Sequence, residues 1–275
     1  MRIFDILGHI VPDDDAWIYR WFGFSVTSPA DIRKALKAAG KEPVTVRINS
    51  YGGDVWSASD MYTLLRAHEP GVETVVTGLA ASAATLPMTA GNTVRASPTA
   101  EIMIHNPSCS AQGDHRALEH AASSLRNTRE AIINAYELKT GLSRERLRGM
   151  LNSETWMTAQ SARAAGFVDE ILFVGNDGLE AEQPEEAASA GASAAKTAAL
   201  NLPSAALLKE RWAVWNELAP GASNIDEARA MIAGKAAQEA HAQEPQQIAE
   251  ESNEDQNADQ LHKALLMARI SALAT

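Results

Sequence analysis

Between Glu42 and Ala80 the chain passes through strand, sharp turn, helix and strand, and this alternation restricts the fold more than any other feature. EPVTVRINS (42–50) is rich in β-branched residues and ends on the turn signal SYGGD. DVWSASDMYTLLRAH (54–68) then places Val55, Ala58, Met61, Leu64 and Leu65 at helical spacing. VETVVTGLA (72–80) is the next strand, and a helix is predicted from about Ser82 to Ala90. NTVRAS (92–97) and AEIMIHNP (100–107) supply two more short strands. A long amphipathic helix is predicted over Asp114–Thr140, stopping at Gly141, and a short one opens at Ser143 as N-cap. TAQSARAAGFVDEIL (158–172) adds a helix, a glycine stop and a last strand. Strands and helices alternating at this spacing predict an α/β domain over residues 1–174.

From residue 175 the texture changes. Alanine fills nine of the twenty positions 181–200, beside Glu, Ser, Gly and Pro, which is linker composition for a segment spanning 175–202. Two or three amphipathic helices are predicted in the remaining tail (203–275), from the segments 203–218, 224–242 and 258–273. Leu208, Trp212 and Trp215 share a face of the first, and Leu261, Leu265 and Ala268 share a face of the last. QEPQQIAEESNEDQN, between the second and third, has the composition of a disordered segment. The tail from Gly175 holds 16 acidic and 7 basic residues, so it carries −9 of the net −11. Neither part has the basic balance of a nucleic-acid binder. No apolar run approaches bilayer-crossing length, and the opening residues do not read as a secretory signal. One cysteine, Cys109, excludes an internal disulfide framework and fits a reducing cytoplasm.

Acyl-transfer chemistry through a serine needs a nucleophile, a base, a group that orients the base, and N–H donors for an oxyanion. VVTGLAASAATLPMTAG (75–91) holds the hydroxyl of Ser82 within a run of very small residues, at a strand-to-helix turn. The N–H of Ala83 would be one oxyanion donor there. Gly52 and Gly53 sit at another strand end, where glycine lets the backbone approach a ligand. MIHNP places His105 just past a third strand end, 23 residues after Ser82. Each piece alone has a plain structural meaning: close packing, a turn, a satisfied surface histidine.

In order, INSYGGDVWSASDMY, TGLAASAAT, EIMIHNP and ETWMTAQSARAAGFVDEIL resemble the Clp protease proteolytic subunit and its phage relatives. The resemblance covers roughly residues 20–173. It implies a repeated ββα spiral assembled into stacked homo-oligomeric rings that act on protein substrates without a cofactor. It also implies Ser82 as nucleophile, His105 as general base, Gly53 and Ala83 as oxyanion donors, and Gly52 on the substrate side. The family's third triad member is an Asp two residues before an aromatic, and here Glu154 stands there, before Trp156. Asp169 matches the family's structural aspartate near the last strand. The sequence also has Tyr51 where the family has Pro, and Ser161 where it has Glu.

The segment before INS is shorter than in the bacterial housekeeping subunit, whose axial loops dock an ATPase. Together with GDVW, ETWMTA and the acidic helical extension, it resembles phage head-maturation proteases. The expectation is a prohead protease trimming scaffold and capsid subunits in the host cytoplasm. A bacterial subunit served by a separate ATPase is the alternative in the same class. An inactive or crotonase-like ring-forming protein is the alternative in another. No phosphate-binding loop G-x-x-x-x-G-K-[ST] is present, so ATP-driven unfolding would need another chain. Cys109 has neither a helix N-terminus nor a basic neighbour to activate it. His115 and His120 stand about 140° apart on their predicted helix, so they do not form a metal pair with Asp114 and Glu119. GASAA (191–195) approaches a nucleophile-elbow pattern but lies in low-complexity sequence.

Overall fold

Period-2 alternation along VTVRINSYGG places the central strand. In the computed structural model of the chain, which describes residues 2–174 and 202–242 (side chains as far as Lys235), this segment forms β3 (Val44–Gly53). Val46, Ile48 and Ser50 are buried while Arg47, Asn49 and Tyr51 are exposed. Parallel neighbours flank it: β1 (Arg2–Ile10) on one side and β4 (Val72–Ala81) on the other. β2 (Val26–Thr27) lies outside β1, while β5 (Thr93–Ala96) and β8 (Glu170–Ile171) continue beyond β4, giving the order β2-β1-β3-β4-β5-β8.

Halfway along, β4 changes partner. Glu73–Val76 pair with β5, but Leu79–Ala81 pair with β6 (Glu101–Ile104). β6 in turn pairs antiparallel with β7 (Thr155–Thr158). Ala81 stands opposite Met103, so the residues leaving these two strands emerge side by side. The first of them is Ser82, and His105 follows on the second.

The helices form where side chains satisfy their free N–H groups. α1 (Asp13–Trp21) and α2 (Pro29–Ala39) come first, and Asp54 caps α3 (Val55–Arg66) by accepting from Ser57 N. A 3₁₀ turn (Ser82–Ala84) leads into α4 (Thr85–Thr89). Asp114 caps α5 (His115–Thr140), which ends at Gly141 in the left-handed conformation, φ 69°. Ser143 caps α6 (Arg144–Asn152) and Thr158 caps α7 (Ala159–Ala164). Glu130 on α5 accepts from both Arg144 and Arg148 on α6, and these guanidinium hydrogen bonds lower its carboxyl to about 2.

Three local features differ from the sequence reading. β1, α1 and α2 went unassigned in the opening 40 residues; β1 leaves Ile3 and Leu7 exposed as well as burying Ile6 and Ile10, so its apolar residues show no one-sided alternation. β3 runs three residues past its expected end at Ser50, because His9 and Ile10 continue to pair with Gly52 and Gly53. The helix expected over 82–90 is two short pieces, a 3₁₀ turn and α4, and it opens on Ser82 in the left-handed conformation (φ 55°).

The core gathers Ile6, Ile48 and Val76, register partners on adjacent strands, with Met61, Ile102 and Phe167. Phe167 is fully buried and meets Tyr136 of α5 edge to face, centroids 5.4 Å apart. Asp169 Oδ2 accepts from Val94 N at 2.7 Å and from Lys139 Nζ at 2.6 Å, joining β5, the last strand and the end of α5.

Among the described residues, a second compact unit combines Trp17–Phe24 with the chain from Pro203 to Ala242. Its helices α8 (Ala205–Leu218) and α9 (Ile225–Ala242) lie where the sequence predicts them. Leu208 is buried, and Trp212 and Trp215 are partly buried. The 175–201 part of the linker and the helix predicted at 258–273 lie outside the described residues. Among the described residues no helix is long and apolar enough to cross a membrane.

Phe167→Ala should destabilise the first unit by about 3–5 kcal/mol, the usual cost of emptying a buried aromatic site. Chemical denaturation followed by far-UV circular dichroism measures it.

Candidate active site

Ser82 stands on a strained elbow. Its φ of 55° is a conformation that side-chain-bearing residues adopt rarely and at a cost. Several contacts hold it there. Thr85 Oγ1 donates to Ser82 O at 2.5 Å and shares a 2.6 Å hydrogen bond with the Tyr136 hydroxyl. Complete burial pushes that phenol up to about 12, so it remains a neutral partner. Ala80, Ala81 and Ala84 are fully buried around the elbow, leaving little slack.

The end of β3 presses against the other side. A Cβ on Gly52 would lie 2.5 Å from Ala81 O, 2.8 Å from Ala83 N and 2.9 Å from Ser82 Cβ. One on Gly53 would lie 2.2 Å from Ile10 O. Both glycines have positive φ, 85° and 140°, so two independent constraints exclude a side chain. Ser50 anchors this turn, its Oγ donating to Gly8 O at 2.7 Å and accepting from Gly52 N at 3.1 Å. Asn49 Oδ1 accepts from Leu79 N at 3.2 Å, beside the irregularity where β3 and β4 shift register.

Ser82 Oγ and His105 Nε2 are 2.7 Å apart. Burial holds the imidazole below its ordinary 6.5, and the nearby Glu154 carboxylate offsets part of that shift. Glu154 itself sits on a left-handed turn, φ 48°, and its Oε1 accepts from Trp156 Nε1 at 3.2 Å. Asn106, next to His105, binds the start of that turn: its N–H donates to Leu151 O and its Nδ2 donates to Asn152 Oδ1. The strand end carrying His105 and the turn carrying Glu154 are thereby tied together.

A cleft of about 510 Å³ opens at this point. Gly53, Ser82, Ala83 and His105 line it, with Trp56 and Leu86 among its apolar walls. The structure thus brings Ser82, His105, Gly53 and Ala83 to one cavity and sets Glu154 against the histidine. Gly52 does not line the cleft; it is buried beneath the elbow, where its missing side chain leaves room for Ala83 N. Tyr51 is exposed, and its ring lies 5.2 Å from that of His9 at a tilt of 33°. Cys109 is exposed on a loop at the cleft edge, and His120 lines the same cleft. Among the described residues no three His, Cys, Asp or Glu side chains converge to hold a metal ion. The supports at Asn49, Thr85, Asn106 and Tyr136 were missed in the sequence, where each reads as an ordinary polar residue of a strand, turn or helix.

A sequence model of the Clp protease family matches residues 34–175. The chain belongs to the Clp protease family. Among solved structures it is similar to a ClpP1 mutant from Listeria monocytogenes, at 25% identity and a TM-score of 0.52. That alignment covers 94% of the Listeria chain and 65% of this one, and the shared architecture is the ClpP-like α/β fold that the four motifs predict. Membership makes the chain one of a family of peptidases.

Gly52→Ala should leave the far-UV spectrum intact while displacing the elbow. Ser82 should then react with a fluorophosphonate on the order of 10²-fold more slowly, the scale of loss that ångström-level misplacement produces.

Proposed function

We propose that the chain is a serine endopeptidase. The carrying observation is the 2.7 Å contact of Ser82 Oγ with His105 Nε2 at a strained elbow opening on a cleft. In this reading His105 takes the Ser82 proton as Oγ attacks the scissile carbonyl, and the N–H groups of Gly53 and Ala83 hold the oxyanion. His105 then protonates the leaving amine, and water releases the acyl group by the same route. Glu154 orients the imidazole and stabilises its charged form; one methylene more than aspartate still reaches it, because the turn that carries it is tied to Asn106. The apolar walls at Trp56 and Leu86 suit the side chains of a polypeptide.

The biological reading is processing of scaffold and capsid proteins during phage head maturation, by a homo-oligomeric ring whose enclosed chamber limits access. Its support is the acidic, helix-bearing extension after residue 174 and the GDVW and ETWMTA motifs. Residues 1–174 then carry the chemistry, the tail from 203 serves assembly, and the 175–202 linker is a self-cleavage region. Co-expression with a phage capsid protein and its scaffold tests this: shortened capsid subunits are expected, and Ser82→Ala should abolish them. Capsid subunits left intact by a fluorophosphonate-reactive enzyme would refute the maturation role and leave the peptidase reading standing. Labelling that persists in Ser82→Ala, or maps to another residue by mass spectrometry, would refute the nucleophile.

Because His105 must be neutral to act as base and its pKa lies below 6.5, kcat/KM should hold through neutrality and fall only at more acidic pH. Glu154→Gln removes the group that raises that pKa, so the acid limb should move lower still. At the same time kcat should drop on the order of 10²–10⁴-fold, the scale of a disturbed general base. A pH–rate profile on a fluorogenic peptide reads both effects.

A further inference from the structure

The second unit is built from two pieces of chain that lie far apart in sequence. Trp21 is 7% exposed and clusters with Ala219 and Ala228, with Phe22, Trp212 and Trp215 packed around them. Trp17 meets Trp212 edge on, 5.4 Å between centroids and 88° between planes. Two hydrogen bonds fix the register: Tyr19 Oη donates to Pro203 O at 3.1 Å, and Trp21 Nε1 donates to Ala222 O at 3.2 Å. Buried indole and phenol groups are thereby satisfied by backbone carbonyls of the tail, which adds direction to a contact that apolar burial alone would leave adaptable.

Connectivity makes the two pieces unequal. Trp17–Phe24 is joined at both ends to the first unit, entering from Ala16 and returning at Ser25. The C-terminal helices reach it in sequence only through the Ala-rich linker. A single cut in that linker therefore leaves a unit made of two separate chains.

We propose that Trp17–Phe24 is a docking site for the chain's own C-terminal helices, which stay bound as a non-covalent subunit after the linker is cut. Linker cleavage would then loosen the tail without releasing it, and departure of the tail would need a competitor presenting a similar aromatic face. This proposal does not rest on the peptidase reading, because the cut can be made by another protease.

The test uses the full chain with Ser82→Ala, a site-specific protease sequence inserted between Ala190 and Gly191, and a C-terminal affinity tag. After complete cleavage, both fragments should co-elute on size exclusion and be captured together on the tag. Trp212→Ala should speed dissociation of the cut tail at least roughly tenfold, a loss of about 1.4 kcal/mol of binding. Trp17→Ala, at a half-exposed edge position, serves as a second variant that spares the buried Trp21 and should act in the same direction. Circular dichroism of each uncut variant establishes that it is folded. Separation of the unsubstituted fragments on cleavage would overturn the proposal, as would equal retention in both tryptophan variants.

Discussion

The close approach of β3's end to β4's end is the constraint on which the site depends. Gly52 lies so near Ala81 O and Ala83 N that any side chain would collide with backbone, which cannot move aside as a flexible side chain can. The bare glycine leaves the room in which Ser82 adopts its left-handed conformation, one that side-chain-bearing residues rarely take. Thr85 and Tyr136 hold the other face of the same elbow, so the strain is opposed from both sides.

A second constraint acts through the sheet. Because β4 leaves β5 and takes β6 as partner, the ends of β4 and β6 lie in register, and Ser82 meets His105 without a long loop. β7 pairs back on β6, and the turn before it brings Glu154 to the imidazole. Strand pairing thus joins Ser82 to His105 and brings the Glu154 carboxylate near enough to raise the imidazole's pKa. Burial then lowers the histidine's pKa and favours its neutral form, while the carboxylate limits how far that shift goes.

The parts legible in the sequence were those whose physics is local. The β-branched run at 44–48, the long helix that stops at Gly141, the Ser143 cap and the two tail helices each follow from near neighbours along the chain. β1 was not legible, since a strand with apolar residues on both faces loses its alternation. Asn106 was not legible either; its role exists only because the turn at 151–154 folds back beside it. Trp17–Phe24 shows the same limit, as nothing nearby in sequence announces that its aromatic side chains pack with Ala219, Trp212 and Trp215.

The sequence by itself determined which chemical groups are present, in what order, and that small residues flank Ser82. It also determined the α/β class and family membership, because the motifs and their spacing survive without coordinates. Tertiary structure alone decided that Gly52 lies beneath the elbow and not in the cleft. It also decided that the Glu154 carboxylate lies near His105, and that part of the N-terminal region packs with the tail. The physical reason is common to all three. Backbone approach, electrostatic coupling and apolar burial depend on distance in space, and the chain sets that distance only after its strands have paired and its core has closed.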